Sequence, residues 1–281
     1  MNRAKTIICM KNLILPVIVA IAMIACADRN APVNPNSDKG ALPGKFSISA
    51  TQQVRFSQGN LQYRASKNKW RFAENQYDIV GANNANISDK YDGWIDLFGY
   101  GTGDNPTLCN PDDRFYSNYV EWGDNPVTNG GNKAKQWRTL RDKEWEYLLE
   151  ERPNAHFLLG TAKVNDQPGL ILLPDDWTTP AGIAFVSSAE TAAGSGSADA
   201  NIYSASQWSQ MESAGAVFLP AAGARSGTYV GNVGTTGFYW SGWYADRGDG
   251  KVYVSCWQFS QSGVLKSIIR QNNGYSVRLV Q

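Results

Sequence analysis

The pattern of hydrophobic and polar positions predicts β-strands at both ends of residues 45–281. Residues 45–73 alternate between apolar and polar side chains in short runs separated by turn-forming residues. Runs with this period of two residues predict antiparallel hairpins. The alternation returns in residues 251–260 and 275–280, each of which predicts one strand. In the last strand, one side carries Tyr275, Val277 and Leu279, and the other carries Ser276 and Arg278.

Two segments follow the helical period of 3.6 residues instead. Residues 139–152 carry apolar side chains at helical spacing, with either Thr139 or Asp142 as the N-terminal cap and Pro153 just after the end. Residues 204–213 predict a second helix around Trp208 that stops at Gly215. A short apolar run follows each helix and predicts a strand, residues 169–174 after the first and residues 216–220 after the second. Helices beside mainly antiparallel strands predict an α+β fold class, and no second linker divides the chain after residue 45.

Residues 81–135 predict a long loop rather than a disordered segment. They are rich in Asn, Asp and Gly, but they also carry large aromatic side chains, in which disordered segments are poor. These are Trp94, Phe98, Tyr100, Phe115, Tyr116, Tyr119 and Trp122. We expect the rings to anchor the loop to the body of the domain.

The N-terminal segment predicts export. Residues 1–25 begin with basic side chains and continue with an apolar run, residues 12–25, that is shorter than the ~20 residues needed to span a bilayer. This is the pattern of a secretory signal peptide. Ala25 directly before Cys26 resembles the lipobox of bacterial lipoproteins, with Met23 in place of the usual Leu. The resemblance implies cleavage before Cys26 and attachment of lipid to it; an ordinary cleaved signal or an uncleaved anchor is the alternative.

Residues 26–44 predict a flexible tether between the lipid and the domain. They combine three prolines with small polar residues and few large apolar ones, so they bury too little surface to offset the entropy of ordering. The expected location is therefore the outer membrane, anchored by lipid at Cys26 and displayed on the cell surface.

Charge and cysteine content narrow the classes of partner. The chain has 26 basic and 25 acidic residues, and the signal peptide removes three of the basic ones. This near-neutral balance excludes a nucleic-acid binder, which shows clustered Lys and Arg. Cys109 and Cys256 stay in the mature chain, and two thiols form no disulfide framework at this length. Whether they pair is open, with two free thiols favoured.

The sequence gives little support for catalysis. The only histidine, His156, lies beside apolar residues, and one histidine makes neither an ordinary His-based zinc site nor a Ser-His triad. Acidic pairs such as Asp112 with Asp113 and Asp175 with Asp176 are interpreted as solvated turn residues rather than calcium ligands. We therefore expect no enzyme activity, no cofactor and no metal.

Five segments occur in an order that resembles the C-type-lectin-fold lipoproteins of Bacteroidetes. They are WEYL at 145–148, LILLPDDW at 170–177, AVFLPAAGAR at 216–225, FYWS at 238–241 and GYSVRLV at 274–280. The resemblance includes the Fibrobacter-type paralogous domains and the variable proteins of diversity-generating retroelements. It implies a C-type-lectin-like fold with antiparallel strands, two main helices, long loops and a ligand-binding face near the C-terminus. The related formylglycine-generating enzymes use a pair of cysteines, and Cys256 has no neighbouring Cys, so that activity is not expected.

Residues 237–281 form the candidate ligand-binding stretch. They are rich in Tyr, Trp, Ser, Gly, Asp and Arg, as binding surfaces are, because rigid rings supply contact area and small polar residues adapt their hydrogen bonds. The expected ligand is a protein or a glycan, bound without metal. The candidate contact residues are Trp243, Tyr244, Asp246, Arg247, Asp249, Tyr253, Ser255, Cys256, Gln258 and Ser260.

The strand at residues 251–260 has two possible facings. If Trp257 and Phe259 pack in the core, the alternate positions of the strand face outward. These positions are Cys256, Gln258 and Ser260. A bulge would also present Tyr253 and Ser255. Phe238, Tyr239 and Trp240 are expected to pack in the core.

The resemblance also suggests a sharper hypothesis, in which a retroelement diversifies this stretch. In retroelement-diversified proteins, adenines in template Asn codons are randomised, which reaches the residue types of most candidate positions but not those of Trp243 or Gln258. The residue types of the stretch are compatible with both alternatives, a diversified binding face and a fixed one. Two other classes stay open: a structural subunit of a cell-surface assembly, which would self-associate, and an enzyme of the formylglycine-generating fold.

Overall fold

Short strands and few helices make up the structure, a computed structural model that describes residues 39–116, 118–190, 199–246 and 252–281, with the backbone alone for residues 243–246 and 252–253. The strands are β1 (Phe46–Ser47), β2 (Gln53–Val54), β3 (Leu61–Arg64), β4 (Lys69–Phe72), β5 (Arg138–Thr139), β6 (Leu159–Val164), β7 (Gln167–Leu172), β8 (Ile202–Tyr203), β9 (Val217–Pro220), β10 (Ala224–Ser226), β11 (Tyr229–Gly231), β12 (Gly237–Asp246), β13 (Val252–Ser260), β14 (Gly263–Ile269), β15 (Asn273–Gly274) and β16 (Leu279–Val280). The helices are α1 (Asp142–Glu146), which continues as a π-helical turn (Tyr147–Glu151), and α2 (Ala205–Ser213). Short 3₁₀ turns lie at Ala65–Lys67, Gly81–Asn86, Asp113–Tyr116, Trp122–Asp124, Ala155–Phe157 and Ser188–Glu190.

Two sheets carry most of the pairing. The first is antiparallel with the order β12-β13-β14, and the second has the order β8-β6-β7-β9, in which only β6 and β8 are parallel. The smaller sheets are β11-β10-β15, β1-β2, β3-β4 and β5-β16. The predicted α+β class is confirmed at this level, a mixed fold with mostly antiparallel small sheets.

Strands β12 and β13 of the β12-β13-β14 sheet, called the C-terminal sheet below, are covered on both faces, whereas β14 keeps exposed side chains. Tyr239, Trp257 and Phe259 pack in one hydrophobic cluster with Trp145 of α1. On the other face, Trp240, Val254 and Cys256 belong to a second cluster that contains aromatic residues of the long loop, among them Tyr100 and Trp122. The sheet is therefore an inner layer over much of its length.

The first predicted helix is only partly correct. Thr139 pairs with Leu279 in a strand, and the helix begins at Asp142, where the Glu144 carboxylate accepts the backbone N–H of Arg141 at 2.8 Å. Pairing with the C-terminal strand therefore outweighs the helical periodicity of residues 139–141. The second predicted helix is confirmed as α2. Ser204 caps its N-terminus, because its Oγ accepts the backbone N–H of Gln207.

The long loop is anchored as predicted, apart from one ring. Phe98, Tyr100, Tyr116 and Trp122 are buried, but Phe115 is 62% exposed. Trp240 Nε1 donates to the carbonyl of Phe98 at 2.7 Å, which joins this loop to the C-terminal sheet.

The predicted tether ends earlier than residue 44. Leu42 is buried and donates its N–H to the carbonyl of Phe56 at 2.8 Å, and Gly40 accepts the N–H of Gln58 at 2.7 Å. Gly40 has φ +82, and a Cβ there would lie 2.6 Å from the carbonyl oxygen of Asn129, so these residues fit tightly into the folded body. The predicted signal peptide, Cys26 and the rest of the tether up to residue 38 lie outside the described residues.

The C-terminal alternation does not separate an inner from an outer side. Ser276 and Arg278 are as buried as Tyr275, Val277 and Leu279. Arg278 Nη2 donates to Gln76 Oε1 at 2.6 Å. In the described part of the chain, no helix is long and apolar enough to cross a bilayer.

Candidate functional site

The register of the C-terminal sheet changes where the candidate binding stretch begins. Trp240 lies opposite Cys256, but the next pair is Tyr244 with Val254, so three residues of β12 face Ser255 alone. An irregularity of this kind is a β-bulge, which bends the strand and interrupts its pairing.

Polar contacts hold the bulge from within. Ser241 Oγ lies 2.6 Å from Ser255 Oγ and donates to the Ser255 carbonyl at 2.9 Å. Gly242 donates its N–H to the carbonyl of Leu140 at 2.8 Å, which replaces pairing with β13. A Cβ on Gly242 would lie 3.2 Å from Tyr119 Oη, so glycine lets the bulged strand approach the long loop closely.

A carboxylate lies close to the bulge. Glu121 accepts hydrogen bonds from Tyr119 Oη at 2.8 Å and from Thr139 Oγ1 at 2.6 Å. Burial, and secondarily the negative charge of Glu121, raises the pKa of Tyr119. Tyr119 is therefore a neutral hydrogen-bond donor that fixes this wall of the bulge.

The candidate residues nearest the tip of the β12–β13 hairpin are placed by backbone only. Trp243, Tyr244 and Asp246 belong to β12, and Tyr253 lies in β13 opposite Ala245. Arg247 and Asp249 lie outside the described residues. The four described residues, Trp243, Tyr244, Asp246 and Tyr253, therefore occupy one end of the sheet.

The predicted outward facing is wrong for Cys256, and the bulge alternative is wrong for Ser255. Cys256 is fully buried opposite Trp240, and Ser255 is 4% exposed against Ser241. Burial raises the pKa of the Cys256 thiol. The cause is the double coverage of β13, because a strand with both faces packed has no outward side.

Gln258 and Ser260 are half-buried and lie toward the opposite end of the same sheet. Ser260 comes seven positions after Tyr253, which at the rise of a strand is about 23 Å. The predicted set therefore does not form one patch. It divides into a hairpin-tip group, a buried pair and a group at the β13–β14 turn.

A cleft of about 310 Å³ lies at that turn. Phe259 forms part of its wall, and a Cβ on the opposing Gly237 would lie 2.1 Å from the Phe259 ring. None of the residues that line the cleft is charged. Hydroxyl and carboxamide groups supply its polarity: Thr161, Thr235, Thr236, Ser260, Gln261 and Ser262. The sequence pattern predicted only Ser260 of these as a contact residue, because the others belong to segments that come together only in the folded chain.

The other candidate reactive residues, two cysteines, one aspartate and the histidine, form no shared site among the described residues. Cys109 and Cys256 are both free thiols. Asp175 accepts hydrogen bonds from Arg152 and Ser47, and His156 is exposed. Within the described ranges, no group of three His, Cys, Asp or Glu side chains is placed to hold a metal ion.

Comparison of the chain with protein-family models, with curated proteins and with solved structures gives no match.

Proposed function

We propose that this protein is a lipid-anchored surface protein of C-type-lectin-like fold that binds a protein or glycan ligand through the hairpin-tip end of its C-terminal sheet, without catalysis. The observation that carries the proposal is the coverage of both faces of β12 and β13 in that sheet. Ligand contacts must then fall to the ends of these strands or to the β14 edge, and the stretch with Trp243, Tyr244 and Asp246 lies at one end.

The pairing of the domain ends supports the proposed fold. Arg55 and Gln281 exchange backbone hydrogen bonds of 2.9 and 3.0 Å, and Phe56 forms a β-bridge with Val280. The resemblance to C-type-lectin-fold lipoproteins implies an arrangement in which the ends of the domain are fixed and the C-terminal region displays a binding surface.

Binding is tested by screening the full-length protein in detergent on arrays of defined glycans and of peptides. We expect the wild type to bind at least one class of ligand. The combined variant Trp243→Ala, Tyr244→Ala and Arg247→Ala is expected to lose that binding and keep the same thermal unfolding midpoint. Undiminished binding by this variant would place the site elsewhere.

Lipid anchorage is tested separately by metabolic labelling with an alkyne fatty acid. We expect Cys26→Ser to lose the label and to be released from membranes, whereas Cys9→Ser, within the signal peptide, keeps both. Labelling of the Cys26→Ser protein would contradict the proposed anchor.

One observation favours the assembly subunit as a second candidate. Strand β14 is the edge of its sheet, and its side chains Leu265 and Ile268 are 49% and 41% exposed. Exposed apolar edge strands pair readily with other chains. Light scattering over a hundredfold range of protein concentration distinguishes the two functions, because an assembly subunit self-associates and Ile268→Lys suppresses the association, whereas a ligand receptor stays monomeric.

A further inference from the structure

A second groove, of about 690 Å³, lies outside the C-terminal sheet. It is lined by the β3–β4 hairpin, by residues 74–83 and 91–94, and by the turn that joins β6 to β7. Its volume is within the ~300–1,000 Å³ that is typical of small-molecule sites. Nothing in the proposed binding by the hairpin tip involves this groove.

Trp94 forms an aromatic platform in the groove. The Arg71 guanidinium carbon lies 4.0 Å from the centroid of the Trp94 ring. Arg71 Nε donates to Gln62 Oε1 at 2.9 Å, and its Nη1 donates to Glu74 Oε1 at 3.0 Å. This cation–π contact holds one side of the ring, while Trp94 itself is half-buried and lines the open volume.

The segment that carries Trp94 is fixed on both sides. Asp92 accepts from Arg64 Nη2 at 2.8 Å and from Ser66 Oγ. Hydrogen bonds from Arg64 and Ser66 lower the pKa of Asp92 to about 2, so this carboxylate stays ionised. Ile95 exchanges two backbone hydrogen bonds of 2.9 Å with Tyr63. The platform is therefore preorganised, which lowers the entropy lost on binding.

A second aromatic ring lies beside the platform. A Cβ on Gly93 would lie 2.3 Å from atoms of the Tyr91 ring, so only glycine lets that ring lie along the backbone. Tyr91 and Tyr77 both line the groove and are half-buried. Several amphipathic rings thus face one volume, each with an apolar surface and a polar tip.

The rim supplies planar hydrogen-bonding groups. The turn between β6 and β7 presents Asn165 and Asp166, both exposed and both in the left-handed region, with φ 47 and φ 64. The lining also includes Asn83, which carries a carboxamide, and Asp78, which carries a carboxylate. Such groups bind pairs of sugar hydroxyls, because each offers two hydrogen-bonding atoms in one plane.

The charge balance of the lining selects among glycans. Arg71 is the one basic residue of the lining, against the carboxylates of Glu74, Asp78 and Asp166. Arg71 is paired with Glu74, so its charge is offset and the three carboxylates of the lining disfavour an anionic sugar. Asp78 accepts from the backbone N–H of Asn75 at 2.8 Å, which reduces the charge available for a basic peptide.

We propose that this groove binds a neutral oligosaccharide, whose ring stacks on Trp94 and whose hydroxyls bond to the carboxamides and carboxylates of the rim. The site is separate from the hairpin tip. The protein thus carries a glycan-binding groove besides the proposed C-terminal surface.

The test is isothermal titration of the full-length protein in detergent with neutral tetrasaccharides of glucose, mannose and xylose, with a tetragalacturonate and with a tetralysine peptide. We expect at least one neutral tetrasaccharide to bind, and Trp94→Ala to weaken it at least tenfold. Trp177→Ala is the matched control, because Trp177 is a half-buried tryptophan outside the groove, and we expect it to change the affinity less than twofold.

A second variant guards against misfolding. Asn165→Gly with Asp166→Gly removes two exposed rim side chains and keeps a residue that accepts positive φ, and we expect a loss of threefold or more. The variant at Trp243, Tyr244 and Arg247 should leave this binding unchanged. The proposal is overturned if no neutral tetrasaccharide binds, if binding survives Trp94→Ala, or if tetragalacturonate or tetralysine binds more tightly.

Discussion

Ser241 and Ser255 face each other across β12 and β13 with their Oγ atoms 2.6 Å apart, at the bulge where the candidate binding stretch begins. Both side chains are buried. The base of the hairpin is therefore anchored by an interior hydrogen bond just before the stretch that carries Trp243, Tyr244 and Asp246. Interior polar contacts of this kind have four measurable consequences for stability.

The two serines are expected to differ in their contribution to stability. Ser241→Ala leaves the buried Ser255 hydroxyl without this partner, and we expect a loss of about 1–3 kcal/mol in the free energy of unfolding. Ser255→Ala should lose less, because Ser241 Oγ keeps its bond to the Ser255 carbonyl. Urea unfolding measures the free energy of unfolding of the two variants. An equal loss in both, or a larger loss for Ser255→Ala, would contradict the assigned geometry.

Arg152 depends on Asp175 as its buried counter-charge. The Arg152 side chain is fully buried, and its Nη1 lies 2.9 Å from Asp175 Oδ1. We expect Asp175→Ala to destabilise the fold by about 3–5 kcal/mol, because it leaves the guanidinium buried without a carboxylate. The double variant with Arg152→Met should recover part of this loss. A double-mutant cycle by urea unfolding measures the coupling, and strict additivity would contradict it.

The same pair predicts a loss of stability in acid. Burial alone would raise the pKa of Asp175, but hydrogen bonds from Ser47, Gln53 and Arg152 outweigh it and hold the pKa below its usual range. A depressed folded-state pKa stabilises the protein above the unfolded value of about 4, and this stabilisation disappears as pH falls through the folded value. Below about pH 4, the wild type should lose stability more steeply than Asp175→Ala. Urea unfolding at several pH values measures this. Parallel curves of unfolding free energy against pH for the two proteins would be inconsistent with this assignment.

Asp96 is expected to change the free energy of unfolding with pH in the opposite direction. Burial raises the pKa of Asp96 to about 6, although Asn84 Nδ2 and the Val80 N–H donate to its carboxylate. The folded state therefore binds a proton more tightly than the unfolded state, and this group lowers stability as pH rises from about 4 to 6, by up to about 3 kcal/mol. Asp96→Asn should lack this fall because an amide does not ionise, although its nitrogen opposes one of the two donors. Urea unfolding at pH 4, 5, 6 and 7 compares the two slopes.

Local signals explain what the sequence predicts well. The β3–β4 hairpin and α2 lie where alternation, turn residues and helical spacing indicated them. Thr139 was misassigned to a helix because its partner, Leu279, lies far along the chain. A non-local pairing of this kind leaves no trace in local periodicity.

The candidate site shows a second limit. Alternation in residues 251–260 predicts an outward side only if one face of the sheet meets solvent, and Cys256 is buried because both faces of β13 are covered. The Trp94 groove was missed for a related reason. Arg71, Trp94 and Asn165 come from three separate segments that meet only in the folded chain.

The central claim, that the hairpin-tip end of the C-terminal sheet contacts the ligand, is tested most directly by titrating a ligand from the array into matched variants. The test variant replaces Trp243, Tyr244 and Arg247 with Ala. The control replaces an exposed phenylalanine, tyrosine and arginine elsewhere, Phe157, Tyr229 and Arg114, with Ala. Anchors of this kind each contribute ~1–4 kcal/mol at hot spots, so the account predicts at least a hundredfold loss for the test variant and less than threefold for the control. Equal affinities in both variants would contradict it.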